Sequence, residues 1–381
     1  MIKCRENCVN VCALLDLHAD DPTIANLDRC IESQEASMDG SLQHFANITQ
    51  KIMDIVTATE RRRFLRLVIG RMSKTKDICP EQLYLDGVTK ISNEPLEFGG
   101  FGLVYQGHYR GEVVALKRLF IKSGPNAENA RRLNKRLRHE ILVWRNLEHP
   151  HILPYFGITE NTSGLPSIVS PWMEHEDIRN LLQHDSFTKR DVTDRRECLL
   201  RWIDEVASGL AYLHEEGIIH GDLRGANILI DSDWSVRLAD FGVAVFVVEE
   251  VVSQPFNSTR AGNPRWQAPE LLAPAFEDDL TLKRPRPTAQ SDIFAFACVV
   301  VEVFTSKNPY SNIPSDYTVA HKIVQGIRPL RPDTTTSEQV AVPDDLWLLA
   351  ERCWDEQPMK RPSAVVVKVD TARIRSSPCQ Q

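Results

Sequence analysis

Over the first 72 residues, apolar positions come in short groups. Up to residue 40 these groups are separated by Asp-Asp, Glu-Ser and Asp-Gly breaks, which leaves two marginal helices, Val9–Leu17 and Thr23–Ile31. From residue 42 the pattern is more regular, and Phe45, Ile48, Ile52, Ile55 and Val56 recur at helical spacing. Arg61-Arg62-Arg63, Phe64, Leu65, Arg66, Leu67, Val68 and Ile69 then form a basic amphipathic stretch. Such a stretch suits an anionic membrane or a partner. The plainer reading is a helix that docks its apolar side on the rest of the chain and leaves its arginines in water. Pro80 and Asp86-Gly87 mark a linker.

From residue 91 the periodicity changes. Leu103–Gln106 and Val113–Leu119 read as strands on either side of an Arg110-Gly111 turn. A long charged helix is expected from Ala127 to Leu147, then strands at Leu153–Ile158 and Ser167–Pro171. After Trp172 the chain becomes mainly helical. Trp202, Val206, Leu210 and Leu213 share one face of a helix over Leu199–Glu215. The longest apolar run, Ile293 to Phe304, is broken only by Glu302; it is too short to span a bilayer and reads as a buried helix. The class is therefore α+β, with a small sheet-rich part before a larger helical part. The expected divisions are an N-terminal segment at 1–40, a helical extension and linker at 41–90, a core at 91–371 and a tail at 372–381. Within the core the small part covers 91–173 and the large part 174–371.

Composition adds constraints. The 381 residues are 42% hydrophobic and 25% charged, which fits a globular chain. A net charge of −7 argues against a nucleic-acid binder. The 9 cysteines include no CxxC pair. Cys4, Cys8 and Cys12 fall on one side of a helix, but no fourth ligand stands in register, so they read as reduced thiols. The opening residues, with Lys3, Arg5 and Glu6, have no apolar stretch of signal length, and no transmembrane segment is found. A cytoplasmic location is expected, with nuclear access left open.

The chemistry is concentrated at His220-Gly221-Asp222-Leu223-Arg224-Gly225-Ala226-Asn227, followed by Asp240-Phe241-Gly242. Two acidic groups and an amide in this order suit phosphoryl transfer. Asp222 would take the proton of an attacking hydroxyl, and Asn227 and Asp240 would hold magnesium. Upstream lies Phe98-Gly99-Gly100-Phe101-Gly102-Leu103-Val104-Tyr105, where glycines let backbone amides approach phosphate oxygens. Val113-Val114-Ala115-Leu116-Lys117 follows it.

Taken together, these segments resemble the catalytic core of the eukaryotic protein kinases. The resemblance covers about residues 91–371. It implies a two-lobed fold: a small antiparallel β-sheet lobe with one long helix, and a larger, mainly α-helical lobe. It implies that Lys117 binds the α- and β-phosphates and pairs with Glu140, whose register is set by the His149-Pro150-His151-Ile152 turn. Gly99, Gly100, Phe101, Gly102, Val104, Ala115, Lys117, Met173 and Leu229 are the expected nucleotide contacts. Among them, Val104, Ala115 and Leu229 sandwich adenine, and Met173 offers backbone hydrogen bonds. Ser170 takes the gatekeeper place. Asp222, Arg224, Asn227, Lys117, Glu140 and Asp240 form the expected catalytic set, with Asn227 and Asp240 as metal ligands. Two late motifs read as structural: Asp292, in Gln290-Ser291-Asp292, would brace the catalytic loop, and Arg361 would pair with Glu270.

The Ser-Asp-x-x-x-Phe and Cys-Trp…Arg-Pro forms are most similar to the tyrosine-kinase-like group. The His-Gly-Asp-Leu-Arg-Gly-Ala-Asn variant is similar to kinase families expanded in mushroom-forming fungi. Three positions depart from the usual pattern. Glu97 stands where the first loop glycine is expected. Gly221 replaces the arginine that binds a phosphorylated activation segment. Asn263 replaces a threonine, with an amide able to hydrogen-bond Asp222. Arg260 and Arg265 lie within that segment and are not expected to anchor it. Ser253, Ser258 and Thr259 are its candidate phosphosites.

The implied function is an ATP- and Mg2+-dependent protein kinase acting on a protein substrate, chiefly at serine or threonine. The main alternative is a pseudokinase acting as a nucleotide-binding scaffold or adaptor. Gly221 and Glu97 favour it, and intact Lys117, Glu140, Asp222, Asn227 and Asp240 oppose it. A tyrosine or dual-specificity kinase and a small-molecule kinase are lesser alternatives. The N-terminal helices are expected to meet a regulatory partner.

Overall fold

The computed structural model describes residues 81–91, 94–95, 97–99, 102–119, 141, 144–145, 147–160, 166–241, 263–273, 285–332 and 340–377. The helices read at 9–17, 23–31 and 42–72 lie outside these residues. So does most of the 127–147 helix, of which Ile141, Trp144 and Arg145 are described and helical. The chain forms two compact units. One holds residues 1–148 and 154–172, and the other holds 149–153 and 173–381.

The first unit is built on an antiparallel sheet. Its strands are β1 (Thr89–Lys90), β2 (Glu97–Gly99), β3 (Gly102–Tyr109), β4 (Glu112–Leu119), β5 (Gly157–Glu160) and β6 (Pro166–Pro171). The order is β1-β3-β4-β6-β5, and β2 also pairs with β3. Strands β3 and β4 meet at the Arg110-Gly111 turn, where both residues have positive φ. Two-residue turns of this kind match the twist of a hairpin. Alternation sends Tyr105, Val114, Leu116 and Val169 into one core cluster, with Leu85, Val88, Leu103, Tyr109 and Phe156 packed against it.

Two sequence expectations differ here. The stretch read as a linker is packed: Leu83 is fully buried, Tyr84 bridges Ile158, and the Leu85 N–H donates to the Ile158 carbonyl. The strand expected at Leu153–Ile158 begins only at Gly157. Pro154 has no N–H to give a ladder, and Ile152 and Leu153 belong to the second unit, where both pair with Leu238.

The second unit contains α1 (Ile178–Gln183), α2 (Asp185–Thr188) and α3 (Val192–Glu215), then the β7 (Ile228–Ile230) and β8 (Val236–Leu238) hairpin. After these come α4 (Pro269–Leu272), α5 (Ala289–Thr305), α6 (Asp316–Val324), α7 (Asp344–Cys353) and α8 (Ala364–Ser376). The Asp191 side chain caps α3 by accepting from the Thr193 N–H, so the helix starts seven residues before its apolar stripe at Leu199. Its first two turns are polar on most faces, which is why periodicity alone missed them. Helix α5 is buried from Ser291 through Phe304 and opens with a Thr288/Ser291 capping box. A helix that is apolar all round must be enclosed. Phe294 and Phe296 are each fully buried, and burial of a side chain of this kind contributes about 2 kcal/mol. This central helix is the platform from which the site below is held.

Candidate active site

In the first unit the sheet register places three expected nucleotide residues together. Val104 pairs with Lys117, and Gln106 pairs with Ala115. Directly paired residues project to the same side, so Val104, Ala115 and Lys117 share the face opposite the Tyr105 cluster. Ala115 also pairs with Ser170, which is buried, and Lys117 pairs with Ile168. Gly99 pairs with Gly102 at the end of the β2–β3 hairpin. Gly100, Phe101 and Glu140 lie outside the described residues, as do Ser253, Ser258, Thr259 and Arg260.

In the second unit, the loop between α3 and β7 is clamped from below by Asp292 of α5. Its Oδ2 accepts from the His220 N–H at 2.8 Å and faces His214 Nε2 at 2.9 Å, while its Oδ1 accepts from the Gly221 N–H at 2.8 Å. Asp292 is the brace expected from the sequence. Gly221 has φ +79. An arginine at this position would have to adopt the left-handed conformation, which costs about 1–2 kcal/mol, and glycine avoids that cost.

Asp222 then stands at the loop's turn with its side chain 8% exposed. Its Oδ2 accepts from Asn227 Nδ2 at 2.9 Å and from Arg224 Nε at 3.2 Å. Burial pushes the Asp222 carboxyl above the usual carboxylate range, against the Arg224 charge and the Asn227 hydrogen bond. His220 is enclosed, and burial lowers its pKa, so it is held neutral.

Asn227 uses its amide nitrogen twice, on the Asp222 carbonyl at 2.7 Å and on Asp222 Oδ2. Its side-chain oxygen therefore has no protein donor among the described residues. The Ala239 N–H donates to the Asn227 carbonyl at 2.9 Å, which ties the backbone just before Asp240 to this loop. Asp240 adopts φ +58, and the Phe241 ring behind it packs edge-on against His220. The chain thus gathers Asp222, Arg224 and Asn227 in one loop, and Asp240 follows directly on the residue tied to it. One amide oxygen and one carboxylate fit a magnesium ion, a hard cation that takes its remaining ligands from water and phosphate. Leu229 lies next door on β7, half-buried and bridged to Asp177. The Met173 carbonyl accepts from the Glu176 N–H at 3.3 Å.

The end of the segment that begins at Asp240 is fastened more firmly than the sequence suggested. Arg265 was expected not to anchor it. Instead Arg265 is buried and donates through Nε to Asp316 at 2.7 Å, and through its other nitrogens to the carbonyls of Pro309, Tyr310, Ile313 and Pro314. A guanidinium can gather several carbonyls that end short elements, and no pattern along the chain announces that. Asn263 does not bond Asp222; its side-chain oxygen accepts from the Arg265 N–H and starts the Pro264–Trp266 turn. The expected Arg361–Glu270 pair is present and bidentate, at 2.7 and 2.8 Å, with the guanidinium fully buried.

One functional group was missed in the sequence. Glu302 of α5 is buried, and its Oε2 accepts from the Gly225 N–H and from Trp266 Nε1, both at 2.8 Å. The signal was present: a single acid inside a twelve-residue apolar run needs buried partners. Burial lifts its carboxyl from 4.5 to about 7, against the hydrogen bonds from Gly225 and Trp266 and the charges of Arg179 and Arg224. Because folding raises this pKa, the stability it contributes is full below about 4.5 and lost as pH rises through about 7. Glu302→Gln is therefore expected to flatten the fall in thermal midpoint between about pH 5 and about pH 8. Thermal unfolding of both proteins across that range checks this, and parallel curves would refute it.

Among the described residues no helix is long and apolar enough to cross a membrane. Residues 92–370 match the protein kinase domain. A dual specificity protein kinase of Dictyostelium discoideum is 31% identical over 270 residues, which cover 70% of this chain and 37% of that protein. A serine/threonine-protein kinase of Arabidopsis thaliana is 29% identical over 277 residues, covering 72% of this chain and 30% of the relative. Receptor-interacting serine/threonine-protein kinase 1 of Homo sapiens is 29% identical over 278 residues, covering 72% and 39%. The chain spans between 30% and 39% of the length of these three relatives.

Proposed function

Because this chain belongs to the protein kinase family, as the match over residues 92–370 shows, we propose that it transfers the γ-phosphate of ATP to a serine or threonine hydroxyl of a protein substrate. The observation that carries this reading is the loop in which Asn227 holds Asp222 by two hydrogen bonds and keeps its own amide oxygen for another ligand.

In this reading Asp222 takes the hydroxyl proton as the acceptor oxygen bonds to the γ-phosphorus. The bond from that phosphorus to the β-phosphate oxygen breaks, and ADP leaves. The raised pKa of Asp222 suits a base, and Asn227 and Arg224 fix its orientation. Arg224 adds positive charge next to the transferred group. Lys117, projecting from the same sheet face as Val104 and Ala115, serves the α- and β-phosphates. The Asn227 amide oxygen and the Asp240 carboxylate would hold magnesium, which when bound would supply positive charge to the phosphates. The test is incubation of the full chain with γ-labelled ATP, Mg2+ and dephosphorylated casein, followed by phosphosite mapping. Label on serine or threonine supports the reading. Nucleotide binding without any transfer would point to the pseudokinase instead.

Regulation is expected to differ from kinases that carry arginine at position 221. A phosphate in the activation segment orders it through charge-assisted bonds to arginine. Position 221 has no side chain, Arg361 is paired with Glu270, and Arg265 is committed to Asp316 and to carbonyls. Replacing Ser253, Ser258 and Thr259 together by alanine is therefore expected to change kcat less than about tenfold, or 1.4 kcal/mol in barrier. Comparison of triple-alanine, phosphatase-treated and untreated protein checks it. Control is expected to act instead through the segment 127–147 and the N-terminal segment.

A further inference from the structure

Glu302 joins two parts of the chain with different duties. Its Oε2 accepts from the Gly225 N–H, which lies between Asp222 and Asn227, and from the Trp266 indole, which lies just before Glu270. Both bonds are 2.8 Å and both donors are buried. The carboxyl sits in the middle of α5, whose surrounding residues are fully enclosed, so it cannot yield without disturbing the core. Asp292, one element end away on the same helix, clamps the start of the same loop at His220 and Gly221.

The approach is close on the glycine side as well. A Cβ at Gly225 would lie 2.5 Å from Glu302 Oε1 and 2.7 Å from Arg179 Cγ. The site is thus shaped for a carboxyl against a bare backbone. Oε1 is buried with no hydrogen-bond partner among the described residues. An acid in such a place is a poor choice for stability alone, because an apolar side chain of the same size would avoid the desolvation cost.

We propose that Glu302 is a positioning residue for phosphoryl transfer, holding the Asp222–Asn227 loop and the Trp266 turn in one register. This rests on the kinase reading above and deepens it. The base is set by the loop, and the acceptor peptide is expected to meet the end of the activation segment. A common acceptor on α5 makes the two move as one body. A loosened Gly225 lets Asp222 and Asn227 drift, and small errors in placement lower turnover steeply. The larger effect is on turnover, because Gly225 and Trp266 themselves are assigned no contact with the nucleotide or its metal.

The experiment compares wild type, Glu302→Gln and Glu302→Met, using ATP, Mg2+ and dephosphorylated casein. Glutamine keeps an oxygen that can accept from both donors, and methionine keeps the size but accepts from neither. Glu302→Met is expected to lower kcat by at least about tenfold with the KM for ATP within about twofold, and Glu302→Gln to recover to within about threefold of wild type. Hydrogen exchange of the 221–228 peptide is expected to be at least about tenfold faster in Glu302→Met. A folded Glu302→Met with wild-type kcat would overturn the proposal, and so would a glutamine variant no better than methionine. If Glu302→Met does not fold, Trp266→Phe removes the indole donor alone and is expected to lower kcat/KM for casein at least about threefold; no change would overturn the proposal. Should the wild type transfer no phosphate, the kinase reading fails by itself. The exchange measurement then still decides whether Glu302 holds the loop, with unchanged exchange counting against it.

Discussion

Asp222→Asn is expected to lower kcat by about 10²–10⁴-fold, the range typical for loss of a positioned general base. ATP binding should change by less than about twofold, because in the proposed mechanism the residue meets the acceptor and not the nucleotide. The geometry makes this a clean substitution. Asn227 Nδ2 and Arg224 Nε both donate to Asp222 Oδ2, and an asparagine oxygen in the same place can accept from both. The fold of the loop is expected to survive, while the group proposed to take the proton is replaced by an NH2 that cannot. The pH dependence should change with it. Burial raises the pKa of Asp222, so wild-type turnover should fall as pH drops through that raised value, and the asparagine variant should lose this limb. Steady-state kinetics with calorimetric ATP titration measure both effects. Equal turnover in the two proteins would show that Asp222 is not the base.

Arg265→Met is expected to destabilise the second unit by about 3–5 kcal/mol, since several buried carbonyls lose their donor at roughly 1–3 kcal/mol each. The guanidinium is 7% exposed and its partner Asp316 is 36% exposed, so the loss lies less in the ion pair than in the carbonyls. Those of Pro309, Tyr310, Ile313 and Pro314 lose their donor together. A drop in thermal midpoint of roughly 10 °C would follow. Activity measured well below that midpoint should also fall, because Arg265 fastens the turn that carries Trp266. A midpoint within about 2 °C of wild type would show that these carbonyls find other partners.

These two residues illustrate how differently parts of the protein could be read in advance. That Asp222 and Asn227 lie together was legible because the chemistry demands particular residue types at close spacing within one loop. The Asp292 brace and the Arg361–Glu270 pair were legible from motif context. Arg265 was misread because its partners are backbone carbonyls, which every residue supplies and no sequence pattern marks. Glu302 was seen only as an interruption in an apolar run. What it accepts from lies 77 residues away at Gly225 and 36 residues away at Trp266.

By itself the sequence determined the local order: which stretches alternate as strands, which carry a helical stripe, and where an acid, an amide and a second acid recur within one loop and hairpin. Those features depend on neighbours within a few residues, so the chain states them directly. It also determined that residue 221 can take the left-handed backbone at no strain, since glycine has no Cβ to clash. Only the tertiary structure decided where the loop's N–H groups and the segment's carbonyls are satisfied. Burial drives most polar groups to find a partner. The partner is chosen by which distant elements the core brings together, as α5 brings Asp292 and Glu302 under the same loop. That choice is a property of packing, and it appears in the sequence only as a charge in an apolar helix.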